Sequence, residues 1–242
     1  MTKIKPYKSS GESKKKQVKT MFDNIAGNYD RMNKLITFGM DIKWRKNVYK
    51  LVNKNHPTSI LDIATGTGDM LLLYAKTDAS KIVGADISDG MLSVANQKIK
   101  KHSLENRISL ELCDAEHLSF EDTTFDAVSV TYGIRNFEDL EKGLKEILRV
   151  LNDNGTCVIL ETSVPDRFPF KQGYHFYTKR IMPIWGKLFS KDKKAYSYLS
   201  DSALDFPYGK KLQVILERVG FKEVEIMPQA QGISTIYTAR KK

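Results

Sequence analysis

Long apolar runs are missing from this 242-residue chain, and with them any segment approaching the ~18 residues that a membrane-spanning helix needs. Its first residues, MTKIKPYKSSGESKKK, contain no apolar h-region, and their lysines together with Glu12 differ from an Arg-rich, acid-poor transit peptide. Cysteine is scarce. The two copies, Cys113 and Cys157, fall in runs that read as buried strands, which points to core thiols in a reducing cytoplasm. No Cys/His spacing outlines a metal site. The four histidines, His56, His102, His117 and His175, are dispersed, and His117, the only one near a strand end, reads as surface. Internal repeats are lacking too. What is there, 41% hydrophobic and 28% charged residues, is globular and enough for one large core, a single α/β domain with additions.

Charge is unevenly placed. Residues 1 to 57 carry a net +10, residues 58 to 164 a net −8, and residues 165 to 194 a net +6. An acidic core is thus flanked by basic additions, which suits a solubilising surface, nucleic acid or an anionic membrane.

From Thr58 the pattern is regular. SILDIAT, KIVGADI, RISLELCD, FDAVSVT and GTCVILET are short runs rich in Ile, Val and Leu bounded by turn residues, separated by amphipathic stretches such as EDLEKGLKEILRVL. The alternation predicts an α/β fold with a mostly parallel sheet covered on both faces. FKEVEIM and ISTIYTAR follow one another without a helix, and so predict a terminal antiparallel pair. By contrast NYDRMNKLITFGMDIKW, Asn28 to Trp44, holds neither a helical nor a strand period for long, and its polar residues read either as caps or as a surface facing a substrate.

Chemistry in such a sheet belongs at the carboxyl ends of its strands. The first strand runs into Gly66-Thr67-Gly68, a tight turn that lets backbone approach a ligand. The third position of a dinucleotide fingerprint is Leu71, and no Gly-Lys-Ser/Thr follows, so the turn matches neither a nicotinamide nor a phosphate loop. Asp86 ends the second strand 20 residues beyond Gly66, where an acid grips ribose hydroxyls. Asp114 ends the third, placed to accept from an adenine amino group while the Ala115 amide reads a ring nitrogen. Thr131 closes the fourth. Asp86 as a helix cap and Asp114 as a turn residue are the plainer readings, but they leave the joint placement unexplained. A nucleoside site with no demand for pyrophosphate suits S-adenosylmethionine, and the set resembles the seven-stranded Rossmann-like methyltransferases over residues 58 to 163 and 209 to 240.

Three further stretches narrow the resemblance. YDRMNKLIT with Trp44, an Arg149-Val150-Leu151 run leading to Glu161 and Ser163, and Tyr132-Gly133-Ile134-Arg135-Asn136 resemble the signatures of the ubiquinone/menaquinone biosynthesis C-methyltransferase family. Two positions depart from it: Asp41 stands where the family has His, and Asn152-Asp153-Asn154 replaces Lys-Pro-Gly. The resemblance implies S-adenosylmethionine-dependent methylation of a ring carbon of a polyprenylated quinol, such as demethylmenaquinol in menaquinone biosynthesis, with benzoquinol as an alternative. It implies Arg135 as the stabiliser of the developing oxyanion and Asn136 as its orienting neighbour. Tyr29, Asp30, Asn33 and Glu161 are further candidates for proton handling or positioning. Arg135 pairing with Asp126 or Glu138, and Tyr29 as a core aromatic, are the structural alternatives.

The expected organisation is a basic N-terminal helical extension over residues 1–57, serving as an acceptor-side flap, and a methyltransferase domain over residues 58–242 with a lid inserted at about 165–208. That insertion holds 11 of the 24 aromatics, interleaved with Lys171, Lys179, Arg180, Lys187, Lys191, Lys193 and Lys194. It reads as a groove for an isoprenoid tail rimmed by cations that meet lipid headgroups, or as a packed lid. The chain is then expected in the cytoplasm, at the inner face of the membrane, with a homodimer allowed for. An RNA or DNA methyltransferase is the runner-up. The fourth strand lacks an Asn/Asp-Pro-Pro-aromatic stretch and no Pro-Cys pair is present, so no nucleic-acid partner is expected. A cofactor-binding regulator without catalysis is the remaining alternative.

Overall fold

The computed structural model describes residues 4–7, 10–181 and 193–242. Seven strands form one sheet in the order β3-β2-β1-β4-β5-β7-β6. They are β1 (Ser59–Ile63), β2 (Lys81–Asp86), β3 (Ile108–Leu112), β4 (Phe125–Thr131), β5 (Leu151–Thr162), β6 (Lys222–Gln229) and β7 (Ser234–Arg240). The first five are parallel; β7 runs antiparallel between β5 and β6, so FKEVEIM is the edge strand.

Alternation along the strands sorts the core onto two faces. Leu61 and Ile63 of β1 join Val128, Val130, Leu144 and Leu216 on one face, under α6 (Leu140–Val150) and α9 (Lys210–Val219). Ile60 joins Ile82, Val158 and Tyr74 on the other, under α4 (Asp69–Tyr74) and α5 (Asp89–Lys101). Ser88 and Asp139 start α5 and α6 by accepting from the amides of Met91 and Lys142, which satisfies otherwise orphaned donors.

The N-terminal residues are helical where the period looked broken. Helix α1 (Lys14–Ile25), α2 (Tyr29–Ile36) and α3 (Met40–Asn53) precede the sheet. The irregularity of Asn28 to Trp44 comes from a left-handed turn at Phe38 (φ 51°) and Gly39 (φ 73°) that resets the helical phase between α2 and α3. Trp44, Val48 and Val52 of α3 lie in the same core as Ile60 and Tyr74. Helix α1 instead packs with Met32 of α2, Met91 of α5 and Tyr198 of α8 (Lys193–Asp205). The insertion also contributes α7 (Phe170–Phe176), and its Lys187 and Lys191 lie outside the described residues. Cys157 is buried in β5, but Cys113 lies just past β3, half-buried, on a cleft wall rather than in the strand interior.

Candidate active site

Two cavities meet above the carboxyl ends of the strands. The first is a cleft of about 730 Å³ at the switch point between β1, β2 and β4, walled by Ala64, Gly66, Asp86, Ala115, Thr131 and Gly133. Ala64 (φ 53°) and Tyr132 (φ 59°) both adopt the left-handed region, uncommon for residues with a side chain, at the ends of β1 and β4. A methyl group added at Gly133 would stand 2.5 Å from Ala64 Cβ, so the two strand ends approach as closely as glycine permits.

Asp86 organises this cleft. Its Oδ2 accepts from the Gly66 amide at 2.8 Å and its Oδ1 from the Ser88 amide at 2.9 Å, leaving further lone-pair positions for ribose hydroxyls. Burial pushes its carboxyl up to about 6, against the pull of those amides. Beneath the cleft, Asp62 accepts from Ser129 and Thr65, each at 2.6 Å, and burial raises it to about 6 as well. Thr131 Oγ1 is buried beside the cleft with no hydrogen-bond partner, which marks a place for a ligand's polar atom. These residues fit S-adenosylmethionine. A carboxylate that titrates at about 6 gives a pH prediction. The cofactor's hydroxyls need the charged form, so affinity for S-adenosylhomocysteine at pH 5 is expected to be about tenfold weaker than at pH 7.5, because protonation competes below the shifted pKa. Calorimetric titration of wild type and Asp86→Asn checks this. The step is expected to vanish in the variant; if it persists, it belongs to Asp62.

The remaining cofactor candidates divide. Gly66, Asp114 and Ala115 line the cleft, whereas Thr67 and Gly68 do not. The Thr67 hydroxyl donates to Asp30 Oδ1 at 2.5 Å, and Gly68 backs onto Ala95, so both shape the turn from behind. Asp30, considered for the acceptor side, thus docks on the glycine turn and also pairs with Lys98 at 2.5 Å. Asp114 Oδ2 lies 2.5 Å from Lys15 Nζ, so an amino group arriving there would share the carboxylate with an ammonium. Lys15, Val18 and Phe22 place α1 over this cleft, so this part of the extension expected on the acceptor side lines the first cleft instead.

The second cavity, about 1560 Å³, lies between α2, α3, α7 and α8 and is lined largely by apolar and aromatic groups, Trp44, Phe38, Phe170, Tyr174 and Ile233 among them. Arg135, 7% exposed, reaches it from the turn after β4. Its partner is Glu161, at 2.5 Å from Nη1, and neither Asp126 nor Glu138. Nη1 also donates to the Tyr132 carbonyl, while Nε is buried without a partner. Burial pulls this guanidinium's pKa down, and Glu161 together with the field of Tyr29 and Tyr198 more than offsets this, so the group stays charged. Glu161 also accepts from the Thr162 amide at 2.7 Å, at the end of β5. Asn136 lines the cofactor cleft, held by Tyr198, whose hydroxyl donates to its Oδ1 at 3.2 Å. Asn33 lines the larger cavity. Tyr29 and Tyr132 line both.

A mostly parallel sheet, with a cleft at its switch point whose residues fit S-adenosylmethionine and an apolar chamber beside it, has the architecture of an S-adenosylmethionine-dependent methyltransferase. A model of the ubiE/COQ5 methyltransferase family matches residues 10–241, and the chain belongs to that family. It is 46% identical over 240 residues to a Bacteroides fragilis protein named demethylmenaquinone methyltransferase, covering 99% of this chain and 98% of that one. It is 41% identical over 230 residues to the ubiquinone/menaquinone biosynthesis C-methyltransferase UbiE of Geobacter sulfurreducens, covering 94% and 90%. Among solved structures, the [4+2]-cyclase SpnF aligns with a TM-score of 0.67 at 16% identity over 94% of this chain and 96% of its own. A Haemonchus contortus phosphoethanolamine N-methyltransferase 2 in complex with S-adenosyl-L-methionine aligns at 0.58 and 18% identity over 81% and 52%. These two likenesses bear on the fold.

Proposed function

We propose that this chain methylates a ring carbon of a polyprenylated naphthoquinol, converting demethylmenaquinol to menaquinol. The observation that carries this reading is the meeting of an apolar, arginine-bearing chamber with the cofactor cleft at Tyr29 and Tyr132. When bound, S-adenosylmethionine supplies an electrophilic sulfonium methyl. The acceptor has to be the reduced quinol: loss of a hydroxyl proton makes the neighbouring ring carbon nucleophilic, that carbon gains the methyl, and its own proton leaves to restore aromaticity. Arg135, fixed by Glu161, stabilises the oxygen that carries the developing charge. It remains protonated and so acts as a donor rather than a base. Tyr29 and Tyr132 set the ring against the cleft, and the apolar walls exclude water. Incubation with methyl-labelled S-adenosylmethionine checks the reading. Label is expected in demethylmenaquinol, less in a demethylated benzoquinol, and none in the oxidised quinone or in RNA. Label in RNA alone would sink it, and binding without turnover would favour a regulator.

The same reading puts the chamber's mouth at an anionic lipid surface. Phe38 (70% exposed) lines the chamber, and Phe168 (80%) and Phe176 (63%) are exposed next in sequence to its lining residues Pro169 and Tyr177, with Lys171, Lys179 and Arg180 exposed on the same segment as Phe176. The Phe38 and Tyr177 rings, with centroids 5.9 Å apart, join the α2–α3 turn to that segment. Among the described residues no helix is long and apolar enough to cross a membrane. In flotation with phosphatidylglycerol vesicles, Phe38→Ser and Phe168→Ser are each expected to reduce binding roughly tenfold, the scale of one lost aromatic anchor. Unchanged flotation would remove this face from the lipid contact.

A further inference from the structure

Arg45 is the least satisfied charge in the acceptor chamber. It projects from α3, its side chain is 14% exposed, and it lines the chamber but not the cofactor cleft. Its Nε is buried and lies 3.5 Å from Asp41 Oδ2 without forming a hydrogen bond. Asp41 is itself buried, and one of its oxygens is taken by the Thr37 hydroxyl at 2.7 Å. Arg135 in the same chamber has a close carboxylate and a carbonyl; among the described residues Arg45 has only a loose counter-ion. Burial pulls its pKa down, and the field of Asp69, Tyr29, Tyr132 and Asp41 more than offsets this, so it stays charged. The Nε–H is thus a buried donor left unmade, which is costly unless an incoming group receives it.

We propose that Arg45 binds the second ring oxygen of the acceptor, opposite the oxygen served by Arg135, as a polar subsite that selects 1,4-dioxygenated rings. The inference rests on the quinol reading above. A ring carrying two oxygens on opposite sides can engage two cations at once, and a ring so held has one rotational setting against Tyr29 and Tyr132. Asp41 keeps Arg45 in place from the preceding helical turn, four residues away, without consuming its donors. This gives Asp41 a role specific to its being a carboxylate: it supplies the counter-charge for a cation that would otherwise be unpaired in an apolar chamber. An oxygen for Arg45 to bind has one other source, the amino-acid carboxylate of the methyl donor. Lining of the chamber, and not of the cleft, favours the ring oxygen.

The test compares a short-chain demethylated naphthoquinol with its analogue lacking the second hydroxyl, using wild type, Arg45→Met and Arg45→Lys. Differences in ring reactivity are common to all three proteins and cancel in the ratio of kcat/KM values. Wild type is expected to prefer the diol by about 10- to 100-fold more than Arg45→Met does, the scale of one charged hydrogen bond. Arg45→Lys, which keeps the charge and loses the planar fork, is expected to fall between them, with affinity for S-adenosylhomocysteine unchanged in both variants. Circular dichroism shows that each variant is folded, and Arg45→Lys alone decides the matter if Arg45→Met is not. Equal discrimination by wild type and a folded variant would overturn the proposal. So would a loss of S-adenosylhomocysteine affinity matching the loss of activity, which would assign the subsite to the donor's carboxylate. Failure of wild type to methylate any quinol is a separate result, and it would remove the acceptor reading itself.

Discussion

Replacing Asp86 with alanine is expected to weaken S-adenosylmethionine binding by at least about a hundredfold, the effect of losing two hydrogen bonds to a charged acceptor together with their geometry. The side chain does two things at once. Toward the cleft its carboxylate is the group proposed to take the ribose hydroxyls, and toward the backbone it holds the Gly66 and Ser88 amides at 2.8 and 2.9 Å. Alanine leaves both amides without their acceptor at a strand end where Gly66 sits at φ 56° and Ala64 at φ 53°. The glycine turn is then free to relax away from the cofactor. Asp86→Asn keeps the shape and one carbonyl oxygen, so its loss should be smaller, and calorimetry of the two variants separates charge from geometry. Unchanged affinity in Asp86→Ala would mean that the ribose site lies elsewhere.

The second large effect concerns Arg135 and Glu161. Both are buried, at 7% and 1% exposure, and either single alanine substitution leaves an unpaired charge, which costs about 3–5 kcal/mol of stability. Loss of activity in Arg135→Ala therefore cannot by itself prove a role in catalysis. The double variant Arg135→Met, Glu161→Leu removes the pair and fills its volume, so thermal unfolding should return toward wild type. Its methyl transfer should remain down by about 10²–10³ in kcat, the cost of removing a preorganised oxyanion donor, with S-adenosylhomocysteine binding retained. A stable double variant with full activity would take Arg135 out of the chemistry.

What the sequence made legible follows from the range of each signal. Strand runs and the glycine turn are local, and a strand forms at each of the seven runs, although β5 begins at Leu151, four residues ahead of GTCVILET. The antiparallel pair was readable, but which of its members is the edge was not, since β7 gains its inner position from pairing with β5, some 80 residues earlier in the chain (for example Leu160 with Ile236). Gly66, Asp86, Asp114, Ala115 and Thr131 converge because parallel strands end on one side of a sheet. Residues that reach the site from the additions were harder. Glu161 lies 26 positions from Arg135 and becomes its neighbour only because β4 and β5 are adjacent, whereas Asp126 and Glu138 were closer in sequence. Arg45 stands four residues after Asp41 on one helix face, a readable spacing, yet nothing local says that this face borders a chamber. Lys15 looked like one more lysine in a solubilising run, and only the fold sets it on Asp114.

The most direct test of the account identifies the atom that receives the methyl. Purified protein, S-adenosylmethionine carrying a ¹³C methyl group and demethylmenaquinol kept reduced are combined, and the extracted product is examined by carbon NMR. An aryl-methyl resonance, from carbon bonded to the ring, is the expected result. A methoxy resonance would show transfer to oxygen, and would contradict a site in which Arg135 holds the ring oxygen while the neighbouring carbon faces the cofactor cleft.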